Sequence, residues 1–100
     1  MGVEGTYDCV TKTPLGDLAS RFTVRPDGDR FTGVNEASLG SMEVIDGRID
    51  GDRLRWTMRM TLPLPMELAC DALIEGDRLT GSVLAGGFAA MPMTGTRVAE

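Results

Sequence analysis

Three near copies of one short segment punctuate the chain: "PDGDRFTG" at 26–33, "IDGDRLRW" at 49–56 and "IEGDRLTG" at 74–81. Each carries an acid-Gly-Asp-Arg core, and the glycines Gly28, Gly51 and Gly76 stand 23 and 25 residues apart. An interval of that size marks a repeated supersecondary unit. Each copy separates two runs of alternating apolar and polar residues. Alternation at period two is a strand with one buried face, and Asp-Gly between two such strands is the strongest short-range hairpin signal. The chain therefore reads as a string of β-hairpins.

A two-residue turn centred on Asp-Gly assigns the faces. It sets Val24 opposite Phe31 and Phe22 opposite Gly33 in the first hairpin. In the third it sets Ala72 opposite Leu79, Cys70 opposite Gly81 and Leu68 opposite Val83. Polar residues such as Arg21, Thr23, Arg25, Arg30 and Thr32 take the other face. A slip of one residue would place Val24 beside Arg30, so the register is well specified. Glu75 fits a central turn position less well than aspartate does. In the middle hairpin Leu54, Trp56, Met58, Met60 and Leu62 point inward, while Arg53, Arg55, Thr57, Arg59 and Thr61 point outward. Its first strand breaks the alternation. Strict pairing turns Glu43 inward, whereas a bulge near Asp46-Gly47 puts Met42 and Val44 inside. The bulge is the expected arrangement.

The whole chain resolves into eight strands, at about 5–12, 17–25, 30–37, 41–49, 53–62, 66–74, 78–85 and 89–98. No stretch carries a helical period. Residues 1–100 read as a single all-β domain. Sequential hairpins with one apolar face form an antiparallel up-and-down meander, and eight such strands close into a small barrel without exposed edges. A two-sheet β-sandwich is the alternative. Pro92, which donates no ladder bond, predicts a seam or bulge in the last strand.

Ten basic against 15 acidic residues give a net charge of −5, and Lys12 is the single lysine. Nucleic-acid binding, which needs a basic face, is not expected. No apolar run approaches the ~18 residues of a membrane-spanning helix. "MGVEGT" reads as the approach to the first strand rather than as a leader or lipidation signal. Cys9 and Cys70 then read as reduced thiols in a cytoplasmic protein. The chain has no histidine. That removes the commonest general base and the usual zinc sites.

The acidic turns are poor cation sites. Taking Asp46 as the first position of a calcium loop puts Arg48 third and Thr57 twelfth, where oxygen ligands are required. Each acidic cluster also runs into Arg30, Arg53 or Arg78. No metal and no cofactor is expected. The inward face is more informative. Where the first and third copies have Gly33 and Gly81, the middle copy has Trp56. Either Trp56 fills the space above the glycines, or a small apolar cavity remains. An eight-stranded barrel suits both outcomes. Seven methionines against five aromatic residues give a pliable interior, since flexible thioethers suit adaptable apolar surfaces. Met58, Met60 and Met66 face inward, and Met42, Met91 and Met93 are candidates to join them.

Cys9 and Cys70 lack a histidine partner and read as buried structural thiols. Glu43, were it turned inward, would be a lone carboxylate in an apolar barrel, with a raised pKa suited to proton transfer. "G-T-Y", "T-P-L-G", "D-G-D-R-F-T-G", "E-G-D-R-L-T-G-S-V" and "M-P-M-T-G-T-R" together resemble a family of small bacterial all-β domains. These stand alone or are appended to larger enzymes such as amidohydrolases. The resemblance covers nearly the whole chain and implies a fold, with no established activity. Gly5-Thr6-Tyr7 is similar to the Gly-x-Trp opening of lipocalin-like barrels, with tyrosine for tryptophan. That similarity implies a hydrophobic small-molecule ligand.

Three functions follow as expectations. The first is non-catalytic binding of a small hydrophobic molecule by Phe22, Phe31, Trp56, Met58, Met60, Met66 and Cys70, with Tyr7 and Asn35 as polar contacts. The second is a small isomerase- or cyclase-type enzyme using Glu43. The third is an accessory or oligomerisation domain with a solid core. There Val34, Ala69, Leu73 and Leu84 on the outer face would make a homodimer or partner contact.

Overall fold

The three repeats do form hairpins, each with a two-residue loop. The loop residues are Gly-Asp rather than Asp-Gly. The computed structural model describes residues 2–38, 40–60, 65–86 and 90–98. Its nine strands are β1 (Gly5–Thr13), β2 (Gly16–Asp27), β3 (Arg30–Ala37), β4 (Gly40–Glu43), β5 (Ile45–Asp50), β6 (Arg53–Met60), β7 (Met66–Glu75), β8 (Arg78–Ala85) and β9 (Met91–Arg97). Thr61, Leu62 and residue 89, expected within strands, lie outside the described residues, as do most of the "LPLP" and "AGGF" connections.

The last ladder pairs of the three hairpins are Asp27–Arg30, Asp50–Arg53 and Glu75–Arg78. The acid and the arginine of each repeat thus face each other across the mouth of the turn. Positive φ falls on glycine alone, at 66° for Gly28 and 62° for Gly51 and Gly76. Glycine adopts it without steric cost, and the aspartate that follows needs no left-handed backbone. Glu75 is accordingly no misfit, because it ends a strand instead of occupying the turn. The register moves by two residues from the expected one. Val24 pairs with Gly33, Phe22 with Asn35, Ala72 with Gly81 and Cys70 with Val83. A shift of two preserves facing, because side chains alternate with period two.

The strands form an antiparallel sheet in the order β2-β1-β9-β8-β7-β6-β5-β3-β4, and β2 also pairs with β3. That last pairing closes an eight-stranded antiparallel barrel with β4 as the extra strand. β4 and β5 are the expected fourth strand broken in two. The β5–β6 register shifts between Ile45 and Arg48, and Asp46 has φ 54°. The bulge turns Met42 and Val44 inward, half-buried against the core, and leaves Glu43 exposed. Pro92 does not bulge the last strand. It is exposed, the ladder to β1 stops beside it at Thr11–Met93, and the ladder to β8 runs through Ser82–Pro92 unbroken. No helix among the described residues is long and apolar enough to cross a membrane.

Two further features shape the barrel. First, the tips of the repeats are handed on from one to the next. The carbonyl of Asp29 accepts from the Ile49 amide at 2.8 Å, Asp52 from Ile74 at 2.8 Å, and Asp77 from Arg97 at 2.7 Å. Second, inward glycines sit where neighbouring strands press together. A Cβ on Gly33 would collide with the Thr23 carbonyl oxygen, on Gly47 with that of Phe31, and on Gly81 with that of Asp71. On Gly95 it would lie 2.6 Å from Cys9 Sγ. Glycine at such points lets a strand coil sharply enough to close a small barrel. The room beside Gly33 and Gly81 therefore belongs to adjacent backbone, not to a ligand.

Candidate functional site

The alternation of each strand sets which residues line the interior. At the end with the repeat tips, Tyr7, Leu54, Ile74 and Leu79 are buried. Val3, ahead of β1, is also buried there, and its carbonyl accepts a 2.8 Å bond from the Tyr7 hydroxyl. Arg97 seals this end. Its Nη2 donates to the carbonyls of Gly2 (2.9 Å) and Gly76 (3.1 Å), and its guanidinium lies 5.2 Å from the Tyr7 ring centroid. Burial pushes the Tyr7 phenol above its usual range, and the Arg97 charge opposes that. With its hydroxyl engaged and its ring fully buried, Tyr7 serves closure rather than ligand contact. Arg97 was not among the expected residues. The alternation Met93, Gly95, Arg97 carried the signal that it faces inward.

Aromatic rings pack part of the interior. Trp56 stacks on Phe22 with centroids 4.7 Å apart and planes 17° off parallel, and Phe31 meets both edge-on. Such contacts add about 0.5–1.5 kcal/mol each beyond their buried area. Cys70 pairs with Trp56 across the ladder, and Cys9 lies against Gly95. Both thiols are buried and free. Desolvation, reinforced by Asp8 at Cys9 and by Asp71 at Cys70, pushes each up to about 12. They are structural thiols. Phe22, Phe31 and Trp56 thus pack on one another in the interior.

Methionines make up much of the rest of the lining. Met58 and Met93 are buried, while Met42, Met60, Met66 and Met91 are half-buried and packed against the core. Met60 and Met66 are direct ladder partners, and Met42 pairs with Asn35. Polar atoms lie among the thioethers. Asn35 is 7% exposed, and its Oδ1 is buried without a hydrogen-bond partner among the described residues, as are Ser20 Oγ and Trp56 Nε1. Thr11 is also buried. The β5–β6 ladder ends at Ile45–Thr57, so the β4 segment that carries Met42 has no ladder to β6. Of the expected binding residues, Asn35 stands between Phe22 on β2 and Met42 on β4, Met60 pairs with Met66, and Trp56 pairs with Cys70.

Glu43 stands apart from this lining. It is exposed on the outer face of β4, because the bulge reverses the facing that strict alternation would give it. The proton-transfer chemistry expected of a buried carboxylate therefore has no such group at this position. The outer-face apolar residues are also dispersed. Ala69 and Leu84 are ladder partners, and Leu73 is further along β7. Val34 stands on β3, three strands away from β7 in the sheet. Among the described residues, no group of three or more carboxylates and thiols is placed to hold a metal. Set beside known proteins, the chain matches no family model and no curated protein sequence.

Proposed function

We propose that the barrel binds a small, mostly apolar molecule in its methionine-lined interior without transforming it, as a cytoplasmic binding module. The observation that carries this reading is Asn35. A buried acceptor left unpartnered costs about 1–3 kcal/mol. This one pairs across the ladder with half-buried Met42, whose flexible thioether adapts to varied apolar shapes. A ligand with one N–H or O–H donor on an apolar body would satisfy Asn35 and cover Met42, Met60, Met66 and Met91.

Native mass spectrometry of the purified protein, followed by melting curves against a panel of small apolar alcohols, amides and acids, tests the reading. A ligand at 100 times its dissociation constant raises stability by about 2.7 kcal/mol. Asn35→Leu should abolish that gain while leaving the fold intact. No retained mass and no melting shift across the panel would refute it. The Ala69–Leu84 pair supports a second reading, a contact between copies of the chain or with another protein. Leu84 is 42% exposed beside a groove of about 450 Å³. A mass from light scattering that rises with concentration, and falls back in Leu84→Lys, would support it.

A further inference from the structure

The outer wall formed by β3, β5 and β6 concentrates positive charge on an acidic protein. Cross-strand pairing sets Arg30 opposite Arg48 and Arg48 opposite Arg55, so three arginines stand side by side on neighbouring strands. Arg53 precedes Arg55 by two residues on the same face of β6. Like charges directly opposite in a sheet repel, and the chain as a whole carries −5. One carboxylate offsets part of this row. Asp46 Oδ1 lies 3.5 Å from Arg30 Nη1 and 3.2 Å from Arg48 Nη2. Its backbone is the one non-glycine case of positive φ among the described residues. Arg53 and Arg55 hold no ion pair among those residues. Asp50 is the ladder partner of Arg53, and Asp71, which accepts from Ser82 Oγ at 3.3 Å, is that of Arg55. Arg30, Arg48, Arg53 and Arg55 line one depression of about 240 Å³, together with Ile49, Asp29 and Asp50.

We propose that this depression is a binding site for a small oxyanion, specifically a phosphate group. Arg48 and Arg55 are its principal hosts, and Asp46, which holds Arg48 and Arg30 from beside the depression, is a tethered competitor for Arg48. Planar guanidinium forks match phosphate oxygens two at a time, and adjacent strands hold these two side by side. The left-handed turn at Asp46 places a carboxylate where a ligand oxygen would otherwise lie. Free phosphate and the phosphate group of a small molecule share this chemistry, so inorganic phosphate and glycerol 3-phosphate serve as separate probes.

The experiment is a titration followed by NMR of the arginine Nε–Hε groups, with sodium chloride at matched ionic strength as reference. Phosphate should shift Arg48 and Arg55 saturably, with a millimolar or tighter dissociation constant. Arg55→Gln and Arg48→Gln should each weaken binding by about tenfold, and Asp46→Asn should tighten it. Asparagine tolerates the left-handed backbone, so that variant keeps the bulge. Tighter binding of glycerol 3-phosphate identifies a phosphorylated small molecule as the occupant, and tighter binding of inorganic phosphate identifies the free ion. Shifts that do not saturate, or that chloride reproduces, would overturn the proposal. So would unchanged affinity in both glutamine variants, with melting curves verifying that each is folded.

Discussion

Gly33 and Gly81 show how a missing side chain shapes the interior. In each, a methyl group would run into a carbonyl oxygen of the preceding strand, and backbone there cannot yield as a side-chain end can. Gly81→Ala should therefore destabilise the fold by about 1–3 kcal/mol, the usual cost of overpacking. At this size each kcal/mol lowers the melting midpoint by about 4–8 °C, which a thermal scan resolves. The cysteines give a pH signature. Burial raises both thiols from 9.0 to about 12, so the folded state holds protons that the unfolded state releases earlier. Their contribution is complete below pH 9 and is lost as pH rises from about 9 to about 12. Denaturant midpoints across that window should fall less steeply in a Cys9→Ala, Cys70→Ala variant than in the parent. Neither thiol should react with a thiol reagent in the native protein at pH 8.

At the scale of elements, facing was legible and turn geometry was not. Alternation identified the inward residues of β2, β3, β6, β7 and β8. It also located the bulge, because Glu43 and Val44 could not both be satisfied otherwise. The two-residue error in register came from reading Asp-Gly as the centre of the turn. Period two conceals such an error, since each inward residue still meets an inward residue. The value of Arg97 was hidden for a different reason. Its partners are the carbonyls of Gly2 and Gly76, and no side-chain pattern announces a carbonyl. The methionines were visible as a group, but the stacking of Trp56 on Phe22 was not, because it joins side chains from strands that do not pair. Arg97→Met would keep the bulk of the side chain and remove its hydrogen bonds. Bonds to a charged donor are worth about 1.5–3 kcal/mol. Hydrogen exchange should then speed up first at the end where Val3 and Tyr7 are buried, while amides of β6 and β7 stay protected.

For the whole molecule, the meander keeps most pairings between neighbours in sequence. β3 with β5 skips only the short β4, whereas β1 with β9 spans the described chain, joining Tyr7 to Arg97 and Thr11 to Met93. Loop closure over nearly the full chain is therefore concentrated in one pairing. Non-local pairing is what slows β proteins, so substitutions that weaken β1–β9 contacts without straining them should change the folding rate more than equal losses in a hairpin. Comparing Val10→Ala at the β1–β9 ladder with Thr80→Ala at the β7–β8 ladder by stopped-flow refolding checks this. A larger fall in refolding rate per unit of lost stability is expected for Val10→Ala.

The contact between Arg97 and Gly2 has one more consequence. It brings the two ends of the described chain within a hydrogen bond of each other, so the ring of strands has no privileged point at which to be cut. Joining the termini with a short glycine-rich linker and opening the chain at Leu15, 99% exposed in the β1–β2 turn, would turn the most distant pairing into a hairpin. It would make β1 and β2 the new closing pair. Such a circular permutant should reach the same barrel by a different order of assembly.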